Sequence, residues 1–222
     1  FERVIYSESH DEDGEANGKV RVPELVGHSR AADWQAQKRS TLAAAMLFTI
    51  PGVPMLFQGQ EMLEGDSFRG DLPLNWHKQA KFSGIVCLYT DLMHLRLNRS
   101  GVTPGLCGDR IDLYHRDDAN HLLAYRRWAE GGEDVPGQEV VVVVNLSKRY
   151  QDAYRLGFPR AGRWRLRLNS DAQTYSDDFG NHLSGDVEAH PLAEGQGGQA
   201  GMPAAGDVTV GPYTVLIYSQ DA

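Results

Sequence analysis

Residues 33–50, DWQAQKRSTLAAAMLFTI, constrain the fold more than any other stretch of this chain. Asp33 has the side chain of a helix N-cap, a short carboxylate that accepts from the first unpaired amides. Behind it Leu42, Ala45, Met46 and Thr49 fall on one helical face, and Leu47, Phe48 and Ile50 make the last turn apolar all round. A helix with no polar side at its end must be buried. Pro51 stops it, because proline disfavours helical geometry in the residue before it. The chain then turns through Gly52 into an apolar run, Pro54 to Phe57, which predicts a short strand opening onto Gly59, Gln60 and Glu61.

The same alternation continues on both sides. Val4 to Ser7 read as a buried strand that runs straight into His10, Asp11, Glu12, Asp13 and Glu15. Residues 83–98 carry Ile85, Leu88, Tyr89, Leu92 and Leu95 on one stripe, which predicts a second helix ended by Gly101. Residues 1–99 therefore read strand, polar loop, helix, strand, polar loop, helix, that is, two βα units.

From residue 100 to residue 222 the texture changes. RIDLYHRDDANHLLAYRRW is two strand-like runs around the turn residues Asp117 to Asn120, and QEVVVVVNL is an unbroken β-branched run suited to a buried strand. GRWRLRLN alternates strictly, and YTVLIYS closes the chain. Short strands parted by Gly, Pro, Asn and Asp turns predict an antiparallel β-sandwich. The Gly-rich residues 194–207 predict a mobile loop. The fold class expected is thus mixed α and β, two βα units followed by an antiparallel sandwich.

Net charge −8 argues against nucleic acid or an anionic membrane as partner, since both reward clustered Lys and Arg. It does not argue against an uncharged polymer. The chain's two cysteines, Cys87 and Cys107, are too few for a disulfide framework and fit free thiols in a reducing compartment. No apolar run approaches a membrane span, and no signal peptide opens the chain. Starting at Phe1 directly before a strand, it reads as a piece of something longer. Eight histidines, His28, His77 and His121 among them, show no metal-ligand spacing, and there is no phosphate-binding or nucleophile-elbow signature. The expectation is no metal and no cofactor.

Parallel βα units gather functional groups at the C-terminal ends of their strands. His10 and Asp11 follow the first strand, and Gln60 and Glu61 the second. An ionised Asp accepts and a neutral His can donate, a combination suited to neighbouring sugar hydroxyls. The plain alternative is a capped turn with an exposed histidine. Trp76 offers either a stacking face for a sugar or a buried packing residue. Glu12, Asp13 and Glu15, and again Glu64 and Asp66, read as solvated acidic loops.

SESHDE followed by NGK resembles the motif after the seventh barrel strand of the α-amylase superfamily, most closely its α-glucan branching enzymes. GVPMLFQGQE resembles the eighth strand and its loop, and DLPLNWH and DLMHLRLNR continue in the same order. The resemblance implies that residues 1–99 are the last two βα units of a (β/α)8 barrel and residues 100–222 the C-terminal β-sandwich domain. It implies that Asp11 is the third catalytic carboxylate, a transition-state stabiliser holding two hydroxyls of the distorted sugar. His10 would be a substrate-binding neighbour, and Gln60, Glu61 and Trp76 would shape the sugar site. The implied activity is that of a retaining, cytoplasmic enzyme acting on α-1,4-glucan, with the rest of the barrel as an essential partner. Because the nucleophile and the acid follow barrel strands four and five in that family, this chain alone is expected to be inactive. DGEAN between SHDE and GK is longer and more acidic than the branching-enzyme pattern. That leaves transfer and hydrolysis both open, beside a carbohydrate-binding module.

Overall fold

The computed structural model describes residues 3–14, 20–27, 33–180, 182–193 and 201–221. Its first part holds β1 (Val4–Ile5), α1 (Val22–Val26), α2 (Trp34–Thr49), β2 (Val53–Pro54), a 3-10 turn (Gln60–Met62), α3 (His77–Lys81), α4 (Ser83–Arg96) and α5 (Pro104–Cys107). Among the described residues β3 to β10 form the second part.

The two βα units are present. β1 and β2 pair in parallel, Val4 with Val53 and Ile5 with Pro54, and the Met55 N–H donates to the Ile5 carbonyl at 2.8 Å. Gly52, at φ +132°, makes this approach possible: a Cβ there would lie 2.9 Å from the Ile5 side chain. The ladder is shorter than the sequence predicts. Val4 is 59% exposed and Tyr6 49%, so the first strand is not buried, because no further strand covers it among the described residues.

α2 begins as expected, with the Asp33 carboxylate accepting from the Ala36 N–H at 2.8 Å. Its C-terminal carbonyls are capped from two other elements. Arg96 of α4 donates to the Ile50 carbonyl at 2.8 Å and to that of Gly52, and Arg127 donates to that of Thr49. Cations at this end also complement the helix dipole. α4 stops at Arg96, short of the expected Asn98, because Asn98 is already left-handed at φ 50°.

The β part comprises β3 (Arg110–Asp117), β4 (Leu122–Trp128), β5 (Val140–Asn145), β6 (Gln151–Phe158), β7 (Gly162–Asn169), β8 (Val187–Pro191), β9 (Ala204–Val210) and β10 (Thr214–Ser219). They pair in the order β3-β4-β5-β10-β7-β8-β9-β6, every pair antiparallel. The end strands of this ladder reach each other through side chains. Tyr114 Oη donates to the Gly157 carbonyl at 3.0 Å, and His115 Nε2 meets Tyr154 Oη at 2.7 Å. The sheet curls on itself, and its two edges are tied rather than left open.

The valine run of β5 is explained by burial on both faces. Val141 and Val143 point into the sandwich with Phe158, Trp164, Leu216 and Tyr218. Val140, Val142 and Val144 point the other way, onto Leu42, Phe48, Ile85 and Leu88 of α2 and α4. The helices and the outer face of the sheet share one core. Residues 194–200 of the expected loop lie outside the described residues, and Ala204 to Asp207 belong to β9 instead, held against Phe158 and its neighbours. Among the described residues no helix is long and apolar enough to cross a membrane, and no group of three metal-ligand side chains occurs.

Candidate functional site at the ends of the parallel strands

The chain after β1 folds into a tight turn with two carboxylates inside and two side chains outside. The Ser9 N–H donates to Asp13 Oδ2 at 2.8 Å, and the Asp13 N–H returns to the Ser9 carbonyl at 3.0 Å. Asp13 is buried by these bonds, contrary to the solvated loop expected for it, while Glu12 is exposed and Glu15 lies outside the described residues. The turn lifts His10 and Asp11 into solvent, with side chains 68% and 83% exposed and His10 Nε2 3.3 Å from Asp11 Oδ1.

Beneath them lies a pair that the sequence reading missed. Glu8 is fully buried and receives Arg21 Nη2 at 2.6 Å and Arg21 Nε at 3.0 Å, while its other oxygen takes the Val22 N–H at 2.9 Å. Burial pushes the Glu8 carboxyl above its ordinary value, against the pull of the Arg21 guanidinium. Arg21 also donates to the Gln58 carbonyl at 2.8 Å and lies over the Phe57 ring at 4.7 Å. It therefore fastens the loop after β1 to the loop after β2. The pairing of an acid with an arginine thirteen residues away carries no local signature.

The second strand end is joined to the first by Gln60. This side chain is 4% exposed, its amide donates to Ser7 Oγ at 2.6 Å, and its carbonyl accepts from the Phe57 N–H at 3.2 Å. Glu61, half-buried, sits on the same 3-10 turn, which is bounded by left-handed Gly59 and Leu63. A buried leucine at φ 56° is an uncommon conformation and marks a tightly determined loop.

Further along, Glu64 is buried rather than solvated. Burial alone would raise its carboxyl, but the Lys78 ammonium and the Asn75 and Gly65 N–H groups hold it below the ordinary range. Asp66 is exposed, as expected. The Phe68 N–H donates to the Asp13 carbonyl at 2.8 Å, so this segment also packs on the His10–Asp11 turn. Trp76, at the start of α3, is 62% exposed, which removes the reading of a buried packing residue. The arrangement presents an exposed acceptor and an imidazole on a turn held from below by a buried ion pair.

Comparison with known proteins locates this turn in a wider context. Residues 114–221 match the model of the family described as alpha amylase, C-terminal all-beta domain. Residues 114–221 belong to that family. The amylase-type domain thus covers β4 to β10 and the second half of β3. Over more of the chain, the 1,4-alpha-glucan branching enzyme GlgB 1 of Xanthomonas campestris pv. campestris (strain 8004) is 34% identical over 199 residues, 86% of this chain and 25% of that protein. GlgB of Paraburkholderia xenovorans is 28% identical over 99% of this chain and 28% of its own length. The chain spans about a quarter of the length of the curated relatives it matches, their C-terminal part. The alpha-amylase from Geobacillus thermoleovorans, solved in complex with acarbose, aligns with 99% of this chain at TM-score 0.59 and 18% identity, over 39% of its own length. The cyclomaltodextrin glucanotransferase CldA aligns at TM-score 0.63 and 16% identity, over 99% of this chain and 36% of its own. These two share the fold of the amylase-type domain and of the βα units before it.

Proposed function

We propose that this chain is the C-terminal portion of a cytoplasmic 1,4-α-glucan branching enzyme, in which a segment of α-1,4-glucan is transferred to form an α-1,6 branch. The observation that carries the reading is the 34% identity with a branching enzyme over 86% of the chain. In this reading Asp11 is the transition-state stabiliser. Its exposed carboxylate accepts hydrogen bonds from two sugar hydroxyls, and these strengthen as the ring distorts toward an oxocarbenium ion. His10, 3.3 Å away, binds the same sugar. Glu61 and Trp76 form the wall of the sugar site, and Gln60 shapes it from within by tying Ser7 to the second loop. The remaining strands of the barrel pair with the open edges of β1 and β2 and bring the nucleophile and the acid. No cofactor takes part. Cys87 and Cys107, both free and exposed, fit a reducing compartment.

The test uses the full-length protein with amylose. Branching shifts the iodine spectrum with no steady release of reducing ends. A steady rise in reducing ends would overturn the transferase reading in favour of a hydrolase. Binding of glucan with neither change would leave a carbohydrate-binding module.

A further inference from the structure

A second concave surface lies on the β domain, between the β3–β4 turn, the β5–β6 loop and the β9–β10 turn. It has a volume of about 500 Å³, and His121, Leu146, Lys148, Arg149, Gln151 and Tyr213 line it. That size is within the range of small-molecule sites. Charge sets this groove apart. Lys148 and Arg149 are adjacent and exposed, and among the described residues neither has a carboxylate partner. Every other arginine of β3–β10 is satisfied. They are held by carboxylates, from Arg116 with Asp118 to Arg167 with Asp221, except Arg127, which is buried among carbonyls. Among the described residues no carboxylate lines the groove. In a chain of net charge −8, two uncompensated cations beside each other form a local positive site.

The site is also built. The Leu146 N–H donates to the His121 carbonyl and the Tyr213 N–H to the Ser147 carbonyl, both at 2.9 Å, so the three loops are bonded to one another. His121 and Tyr213 both lie in the left-handed region, at φ 54° and 45°. For a tyrosine this conformation is an outlier and is kept only where its surroundings require it. Here Trp34 packs against the Tyr213 ring at 6.0 Å, and the Arg39 guanidinium lies 5.9 Å from it. The ring is fixed beside the cations.

We propose that this groove binds the phosphate monoester of a hexose, the phosphate on Lys148 and Arg149 and the sugar ring against Tyr213 and Leu146. The two cations supply charge-assisted donors for the phosphate oxygens. Tyr213 and Leu146 offer apolar surface to the C–H face of a pyranose, and Gln151 and His121 offer hydrogen bonds to its hydroxyls. The ester is either a free sugar phosphate or one carried on a glucan chain. The inference does not depend on the roles given to His10 and Asp11.

Calorimetric titration of the intact protein with glucose 6-phosphate, inorganic phosphate and glucose tests it. Glucose 6-phosphate binds in preference to both others, and its affinity falls as salt is raised. Replacing both cations, Lys148→Ala with Arg149→Ala, lowers that affinity about tenfold, the worth of roughly one charge-assisted hydrogen bond at an exposed site. Melting is unchanged, because both side chains are exposed. Tyr213→Gly, which suits the positive φ, abolishes the preference of glucose 6-phosphate over inorganic phosphate. Retardation of the protein on a native gel containing phosphorylated but not dephosphorylated amylopectin assigns the polymer-borne ester; binding of glucose 6-phosphate alone assigns the free one. The proposal is overturned if glucose 6-phosphate shows no saturable binding, if glucose binds as well as its phosphate, or if the double variant binds undiminished.

Discussion

Glu8 and Asp11 stand three positions apart and have opposite surroundings, and the contrast separates what each can do. Asp11 is exposed, with the His10 imidazole beside it. On the proposed role of Asp11 as transition-state stabiliser, Asp11→Asn in the full-length protein should lower turnover about a hundredfold, the loss of roughly 3 kcal/mol, and leave melting nearly unchanged. Near-normal turnover would remove Asp11 from the chemistry. Glu8 is sealed under the turn with Arg21, and Glu8→Ala strands a buried guanidinium. That change should cost on the order of 3 kcal/mol of stability, and a chemical-denaturation curve unmoved by it would show that the pair does not support the turn. A third carboxylate reports on pH. Asp117 accepts from Asn120 and from Tyr154 Oη, and these bonds hold it at about 2. The unfolded carboxyl titrates near 3.9. The turn at β3–β4 therefore adds stability above about pH 4 that is lost as pH falls toward 2. Since the site is largely solvated, the effect is modest. Thermal melts at pH 5 and at pH 2.5 should differ more for the wild type than for Asp117→Asn.

At the scale of elements, α2 shows what could be read from the sequence and what could not. Its two ends were legible, because Asp33 and Pro51 act on their own neighbours within a turn. Its burial was legible from the apolar last turn. Lys38 was not: it is fully buried on the same helix, donating to Asp171 at 2.6 Å and Thr214 Oγ1 at 3.1 Å, and lying over the Phe179 ring. A lysine at this point reads as solvent-facing, since its partners are 133 and 176 residues away. Burial pushes the Lys38 ammonium below its ordinary value, opposed by Asp171, so the pair holds its charge only by its partners. Lys38→Met should cost about 3 kcal/mol by leaving Asp171 buried without its cation. Restoration by a second change, Asp171→Asn, would be the double-mutant signature of direct coupling; additive losses would refute it. The candidate site divides in the same way. That His10 and Asp11 sit on an exposed turn was legible from their place after a strand. Glu8, Asp13 and Glu64 were not, because whether an acid on a loop is solvated or buried is decided by distant donors such as Arg21 and Lys78.

For the whole molecule, the shared core bears on where the chain can be divided. Texture places a boundary near residue 100, yet Val140, Val142, Val144, Val215 and Ile217 turn one sheet face toward α2 and α4 rather than toward solvent. Arg127 of β4 caps the end of α2, and Lys38 of α2 pairs with Asp171 after β7. Cutting at residue 100 would expose that valine face and strand both the Asp171 carboxylate and the Arg127 guanidinium. An exposed apolar surface of this kind associates or binds hydrophobic dye. We therefore expect residues 100–222, made alone, to bind 8-anilinonaphthalene sulfonate and to melt well below the 222-residue chain or aggregate. In the intact chain the amides of α2 should exchange as slowly as those of β10, since one core covers both. Those of Val4 and Val53 should exchange fast, because among the described residues β1 and β2 pair only with each other. A soluble 100–222 segment melting at the temperature of the whole chain would show that the sandwich is an autonomous unit and that the helices merely rest on it.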